Sequence, residues 1–151
     1  MTGSTGQPVP PPAVEIKRRV EWVDTDAAGH HHHHAVARWV ESAEAELLRR
    51  RGLDWLFGRT PRVHYEVDYR RRLWFGDLVR IRLELARLGE KSMRFEFEVH
   101  SENELAAAGS VVTAFASPAG GAEPWPVEVR RALTAPDRPS PGPDPDPPGA
   151  P

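Results

Sequence analysis

The chain contains no cysteine among its 151 residues. This absence excludes a thiol nucleophile, a disulfide framework and a cysteine-ligated zinc site. Basic residues are not in surplus either, because 20 Lys and Arg stand against 22 Asp and Glu, for a formal net charge of −2. We therefore expect no nucleic-acid partner, since such binders carry an excess of positive charge on one face.

Long apolar runs are also missing. No stretch approaches the roughly 18 apolar residues of a membrane span, and the first residues lack the basic and apolar regions of a signal peptide. We expect a cytoplasmic protein with no membrane partner. The sequence also lacks a Gly-x-Ser-x-Gly elbow, a P-loop and a Gly-x-Gly-x-x-Gly motif, which argues against a serine hydrolase and a nucleotide cofactor.

Proline is scarce in the middle of the chain. Twelve of the 16 prolines lie in two short terminal segments. Such segments favour extended, solvated backbone and bury too little apolar surface to fold. We therefore predict a disordered N-terminal segment (1–12), one domain (13–134) and a proline-rich disordered tail (135–151).

The apolar periodicity between these ends predicts an α+β fold. A strand over 14–23 is followed by an amphipathic helix over 33–51, which Gly52 ends. Four runs then alternate with a period of two, as half-buried antiparallel strands do, and a short helix begins with a proline. The runs cover 63–69, 79–85, 93–99 and 106–116, and the short helix covers 126–133.

The most informative segment is 24–34, Asp-Thr-Asp-Ala-Ala-Gly followed by five histidines. It places two carboxylates and a glycine just before a helix. With Trp22–Val23, Arg38–Glu44, Trp74–Asp77 and Leu88–Ser92, it resembles the 4-hydroxybenzoyl-CoA thioesterase family of the hotdog fold, which includes the YbgC-type acyl-CoA thioesterases. The resemblance spans about residues 14–134.

The resemblance implies a hotdog fold, in which a curled antiparallel sheet wraps around one long central α-helix. It also implies a thioester hydrolase that needs no cofactor and acts on an acyl-CoA or an acyl-carrier-protein thioester. The family works as a homodimer, often assembled into a homotetramer, with its active site between subunits. A homo-oligomer is therefore expected.

Asp26 matches the catalytic carboxylate of the family, as nucleophile or as general base. Its alternative role is to cap the turn or helix. Asp24 is expected to shape the turn. At His33 the backbone N–H is expected to polarise the thioester oxygen, aided by the helix dipole, while its imidazole either takes part in proton transfer or lines the pocket.

Four further residues are expected to bind substrate. Gly29 permits close approach of the backbone, and His32 stands where the family often has an aromatic residue. Lys91 and Ser92 lie in a turn that can meet the phosphates of coenzyme A. An ordinary solvated hairpin turn explains them equally well.

Three alternative interpretations stay open. His30 and His34 have the i, i+4 spacing of two metal ligands, but no third ligand is apparent and no metal site is expected. Asp26 and His31 have the Asp-x4-His spacing of hotdog hydratases, without the usual Asn-Pro between them. The third alternative is a non-catalytic acyl-ligand binding module that uses its proline-rich tail to hold a partner.

Overall fold

The structure is a computed structural model that describes residues 8–26, 33–137 and 146–149. Its elements follow the predicted order. They are β1 (Ala13–Arg19), a short 3-10 helix (Trp22–Asp24), α1 (His33–Arg50), a second 3-10 helix (Asp54–Leu56), β2 (Arg62–Tyr69), β3 (Leu78–Leu88), β4 (Ser92–Ser101), β5 (Glu104–Ala114) and α2 (Val127–Thr134).

All five strands form one antiparallel sheet in the order β1-β3-β4-β5-β2. The sheet curls around α1, which confirms the predicted hotdog architecture. α1 packs on β1 and β3 and buries one stripe of side chains, which a helix repeats every three or four residues. That stripe comprises Val36, Trp39, Val40, Ala43, Leu47 and Leu48.

Local sequence explains where several elements end. α1 stops because Gly52 adopts a φ of +70°, a left-handed conformation that glycine reaches without strain. The β4–β5 hairpin turns through Glu102 and Asn103, which both have positive φ as tight two-residue hairpin turns require. β1 is shorter than predicted because the chain leaves the sheet after Arg19 and folds into the 3-10 helix at Trp22–Asp24.

The sheet has two ends, which the start and the end of α1 distinguish. The helix-start end carries Arg19, Leu78 and Tyr69, close to the beginning of α1. The helix-stop end carries Leu88 and Ser92, where Arg130 of α2 donates a hydrogen bond to the Gly89 carbonyl at 2.7 Å. A β3 strand of 11 residues separates the two ends by roughly 33 Å.

Strand β2 departs from the prediction that every strand is half-buried. Its residues Val63, Tyr65 and Tyr69 are 59%, 36% and 43% exposed. They alternate as predicted, and Tyr65 stacks on Phe97 of the core with ring centroids 6.0 Å apart. They are uncovered because α1 lies over β1 and β3, at the opposite edge of the sheet from β2.

β2 also passes very close to its neighbour β5. A Cβ atom added at Gly109 of β5 would lie 2.0 Å from the Glu66 carbonyl oxygen and 2.8 Å from the Phe97 ring. Glycine therefore permits the tight curl of the sheet at this point.

Most of the two terminal segments lies outside the described residues. The four residues 146–149 lie against β1, where Asp146 pairs with Lys17 at 2.6 Å and the Pro148 carbonyl accepts a hydrogen bond from Arg19. Within the described ranges, no helix is both long and apolar enough to cross a bilayer.

Candidate active site

The loop that leaves β1 is held in place by the buried carboxylate of Asp24. One Asp24 oxygen accepts the Glu21 backbone N–H at 2.8 Å, and the other pairs with Arg38 in the second turn of α1. Asp24 is only 4% exposed, so these partners replace the water that its charge would otherwise need. Asp24 shapes the turn, as expected, and ties it to the helix.

Asp26 follows two residues later and is half-buried. Residues 27–32 lie outside the described part of the chain, and with them Gly29, His32 and the two other histidines of the alternative interpretations, His30 and His31. α1 begins at His33, of which the backbone is described and the side chain is not. The loop thus presents Asp26 shortly before the first turn of α1.

The first turn of a helix carries backbone N–H groups without helical partners, and the helix dipole adds positive potential there. The ion pair between Asp24 and Arg38 connects the loop that carries Asp26 to this part of α1. This part of the chain therefore contains both a carboxylate, on a loop tied to α1, and a set of amide donors. That combination can attack or hydrate a carbonyl group and stabilise the negative charge that develops on its oxygen.

Exposed aromatic side chains flank this loop. Trp22 is 71% exposed and meets the edge of Phe75, which is 43% exposed, with ring centroids 5.6 Å apart. The two segments are joined by backbone hydrogen bonds of 2.8 Å between Val20 and Gly76 and between Val20 and Asp77. Trp22 and Phe75 thus form an apolar rim beside the loop.

Lys91 and Ser92 lie at the other end of the sheet. The Lys91 carbonyl accepts a hydrogen bond from Phe115, and the Ser92 carbonyl accepts one from Gly89. Because the helix-stop end is roughly 33 Å from the helix-start end, a single protomer does not bring Lys91 and Ser92 to Asp26.

Three short basic clusters, at residues 17–19, 49–51 and 70–72, differ in how their charges are matched. Lys17 pairs with Asp146, and Arg49, Arg50 and Arg51 pair with Glu46 or Asp137. In the third cluster Arg71 pairs with Glu102 and Glu104. Its neighbours Arg70 and Arg72 are exposed at the helix-start end and have no carboxylate partner within the described residues.

A second polar site, which the sequence did not indicate, lies midway along α1. Glu44 is 4% exposed and accepts a hydrogen bond from Arg62 of β2 at 2.7 Å. Burial raises the pKa of Glu44 above its ordinary value of 4.5, against the opposing effect of Arg62. Arg62 also approaches Glu41, with an N–O distance of 3.6 Å.

These residues line an open cavity of about 440 Å³ between α1 and the segment that leads into β2. Glu41, Glu44, Thr60 and Arg62 supply the polar groups of the lining, and the other lining residues are largely apolar. The walls include Ala45, Leu48, Phe57, Pro61 and Ala116.

No cluster of three or more His, Asp or Glu side chains within the described ranges has the geometry of a metal site. His34 is exposed on α1. Its predicted alternative partner, His30, is outside these ranges.

Comparison with known proteins matches nearly the whole domain that lies between the two terminal segments. Residues 20–133 match the model of the thioesterase-like superfamily. A 1,4-dihydroxy-2-naphthoyl-CoA hydrolase from Synechococcus sp. (strain CC9605) is 35% identical over 109 residues, which cover 65% of this chain and 73% of the relative.

Two solved structures have the same fold. A thioesterase from Thermus thermophilus, in complex with coenzyme A and Zn, is 28% identical with a TM-score of 0.74 and covers 82% of this chain and 92% of its own. A gentisyl-coenzyme A thioesterase is 26% identical with a TM-score of 0.72 and covers 81% of this chain and 100% of its own. The span that matches the superfamily model, residues 20–133, includes Asp26, α1, strands β2–β5 and nearly all of α2.

Proposed function

The chain belongs to the thioesterase-like superfamily, and from this premise we propose that it is an acyl-CoA thioesterase with Asp26 as its catalytic carboxylate. The observation that carries the proposal is the attachment of the Asp26 loop to α1 through Asp24 and Arg38. This attachment supports a site in which Asp26 acts together with the amide donors at the start of α1. The reaction converts a thioester and water into a carboxylic acid and coenzyme A.

The chemistry follows one of two routes. In the first, Asp26 attacks the carbonyl carbon, the thiolate leaves, and water hydrolyses the resulting anhydride. In the second, Asp26 takes a proton from water as that water attacks. In both routes the His33 backbone N–H donates to the oxyanion, and the positive end of the α1 dipole favours the same charge.

Hydroxyaryl acyl groups are the substrates that the relatives suggest. The relative from Synechococcus is named for a dihydroxynaphthoyl thioester, and one of the solved structures is named for a gentisyl thioester. Gly29 and His32, which precede α1 in the sequence, are proposed to line the acyl site. Arg70 and Arg72, which have no carboxylate partner within the described residues, are proposed to bind the phosphates of coenzyme A at the helix-start end.

A homo-oligomer completes the site. β2 is an edge strand with exposed apolar side chains, and two copies can pair along it about a two-fold axis. The strand suits such pairing because Tyr65 and Val67 share one face, while His64, Glu66 and Asp68 make the other face polar. Antiparallel pairing would bring the helix-stop end of one copy, with Lys91 and Ser92, towards the helix-start end of the other.

Free-thiol release from a panel of acyl-CoA esters tests the activity. After chelator treatment to remove metal held by the histidines, we expect wild-type protein to release coenzyme A and Asp26→Asn to lose this activity by orders of magnitude. Asp54→Asn, which alters an exposed carboxylate in the second 3-10 helix, is the matched control. Equal activity of wild type and Asp26→Asn would exclude Asp26 as the catalytic group, and no release by wild type would exclude acyl-CoA hydrolysis.

A further inference from the structure

Residues 146–149, the docked segment, lie against β1 through two polar contacts. The Asp146 carboxylate accepts a hydrogen bond from Lys17 at 2.6 Å. The Pro148 carbonyl accepts one from Arg19 at 3.2 Å. The two donors are two positions apart in β1, and the two acceptors are two positions apart in the segment, so the spacing is matched along both stretches of chain.

This match follows from the geometry of the two backbones. Successive side chains of a strand point to opposite faces, so Lys17 and Arg19 share one face and are roughly 7 Å apart along β1. Proline favours the extended polyproline II conformation, in which two residues span roughly 6 Å. Asp146 is itself restricted to extended backbone because it precedes Pro147. A segment that is already extended loses little conformational entropy when it docks.

The face of the sheet beside the docked segment is cationic. Arg80 of β3 is the register partner of Lys17, and partners in an antiparallel pair share one face. Arg80 donates a hydrogen bond to the Asn103 side chain at 3.1 Å and has no carboxylate partner within the described residues. Lys17, Arg19 and Arg80 together are the cationic patch. The hydrogen bond from Lys17 lowers the pKa of Asp146 below its ordinary value of 3.8, so the segment brings a negative charge to this patch at neutral pH.

The docked segment is attached next to the candidate active site. Arg19, which holds Pro148, also donates a hydrogen bond to the Gly76 carbonyl at 2.9 Å. Gly76 directly follows Phe75 of the apolar rim, and that rim flanks the loop with Asp26. A single side chain therefore connects the docked segment to the turn that carries the rim. β1 and β2 are opposite edges of the sheet, so pairing of two copies along β2 does not use the edge where the segment lies.

From these contacts we propose that the cationic patch is a docking site for the chain's own acidic C-terminal segment, and that the docked segment restricts the entry of acyl-CoA esters to Asp26. This inference rests on the proposed thioesterase function. Coenzyme A carries phosphates, so Asp146 repels the substrate and occupies cations that would otherwise attract it. The segment touches none of the groups proposed to break the thioester bond, and it therefore affects KM and leaves kcat unchanged.

The weakness of the contact sets the size of this effect. The Lys17 and Asp146 side chains are 30% and 62% exposed, and exposed ion pairs add little stability. The docked and undocked forms are then similarly populated, with the undocked form at about 20–50%. Apparent affinity falls in proportion to the competent fraction, so docking raises KM by about two- to fivefold.

Steady-state kinetics with the acyl-CoA ester that wild type hydrolyses fastest test the restriction. Deleting residues 138–151 and replacing Asp146→Asn should each raise kcat/KM about two- to fivefold through a lower KM. Asp137→Asn is the matched control, because Asp137 is also an exposed C-terminal carboxylate and pairs with Arg51 at 2.5 Å. It removes the same charge and should leave KM unchanged. No rise in kcat/KM, or an equal rise in Asp146→Asn and Asp137→Asn, would overturn the restriction of entry.

A spin label measures docking without hydrolysis. The chain has no cysteine, so Gly149→Cys provides a single thiol for a nitroxide. In the docked form the nitroxide should broaden the amide NMR signals of β1 and Gly76 more than those of Ser92 at the helix-stop end. Adding Asp146→Asn should remove this difference, and so should salt at about 0.5 M, which screens exposed charges. Broadening of β1 that persists in both conditions would overturn the assignment of the docking site to the cationic patch.

The two measurements separate this inference from the proposed function. If wild type hydrolyses no thioester and the label still broadens β1 in an Asp146-dependent way, the thioesterase function fails and the docking site stands. If hydrolysis is measured and the label shows no preference for β1, the docking site fails alone.

Discussion

Replacing Gly109 with alanine should detach β2 from the sheet. The added Cβ would lie 2.0 Å from the Glu66 carbonyl oxygen and 2.9 Å from the Val67 Cα, both backbone atoms that cannot rotate away. β2 must therefore move outwards by more than an ångström, which stretches the hydrogen bonds to β5 around the Val67–Gly109 pair. Losing two or three such bonds, at about 1 kcal/mol each, lowers the free energy of unfolding by about 2–4 kcal/mol.

Urea denaturation followed by tryptophan fluorescence measures this change. Gly121→Ala is the control, because Gly121 has a φ of +81° but open space around its Cβ position. That substitution should cost only the backbone strain of about 1 kcal/mol. If β2 forms the subunit contact, Gly109→Ala should also dissociate the oligomer in sedimentation velocity. A Gly109→Ala protein as stable as Gly121→Ala would refute the reasoning from the close approach of β2.

Three further predictions concern charged groups. Arg38→Met should lower the free energy of unfolding by about 1–3 kcal/mol, because the buried Asp24 carboxylate loses its guanidinium partner. Chemical denaturation measures this change, and an unchanged denaturation midpoint would contradict the prediction. Burial raises the pKa of the Glu44 carboxyl group. The stability that protonated Glu44 contributes is therefore complete below its ordinary pKa of 4.5 and is lost as the pH rises through the raised pKa. The difference in unfolding free energy between wild type and Glu44→Gln should vary over this pH range, and a difference independent of pH would refute the raised pKa. Deleting residues 138–151 removes the exposed contact with Lys17 and should change stability by less than about 1 kcal/mol, a bound that a thermal melt can test.

Periodicity predicted most of the fold because each element follows from local spacing. The alternation at Met93, Phe95, Phe97 and Val99 identifies β4 because successive side chains of a strand point to opposite faces. The same reasoning failed for the burial of β2. Alternation shows which face of a strand is apolar, whereas coverage of that face depends on how far α1 extends across the sheet.

The residues of the candidate site were likewise only partly predictable from the sequence. The motif predicted that Asp24 shapes the turn before α1, and the ion pair of Asp24 with Arg38 agrees with this. The catalytic role of Asp26 stays a prediction. The pair of Glu44 and Arg62 was missed because the residues are 18 positions apart and Glu44 belongs to the polar side of the α1 pattern. The separation of Lys91 and Ser92 from Asp26 was equally invisible, because it depends on the length and register of β3.

The strand order has a consequence for synthesis of the protein on the ribosome. β2 pairs with β5 alone within the described part of the chain, and Tyr65 of β2 meets Val111. β2 is made early but has no sheet partner until the last strand has left the exit tunnel. During this interval its tyrosines and unpaired backbone are open to other nascent chains, since long-range strand pairing is slow and exposed edges associate readily. A chain that stops before Val111 would keep this open strand permanently, so premature termination should yield aggregates rather than a smaller folded protein.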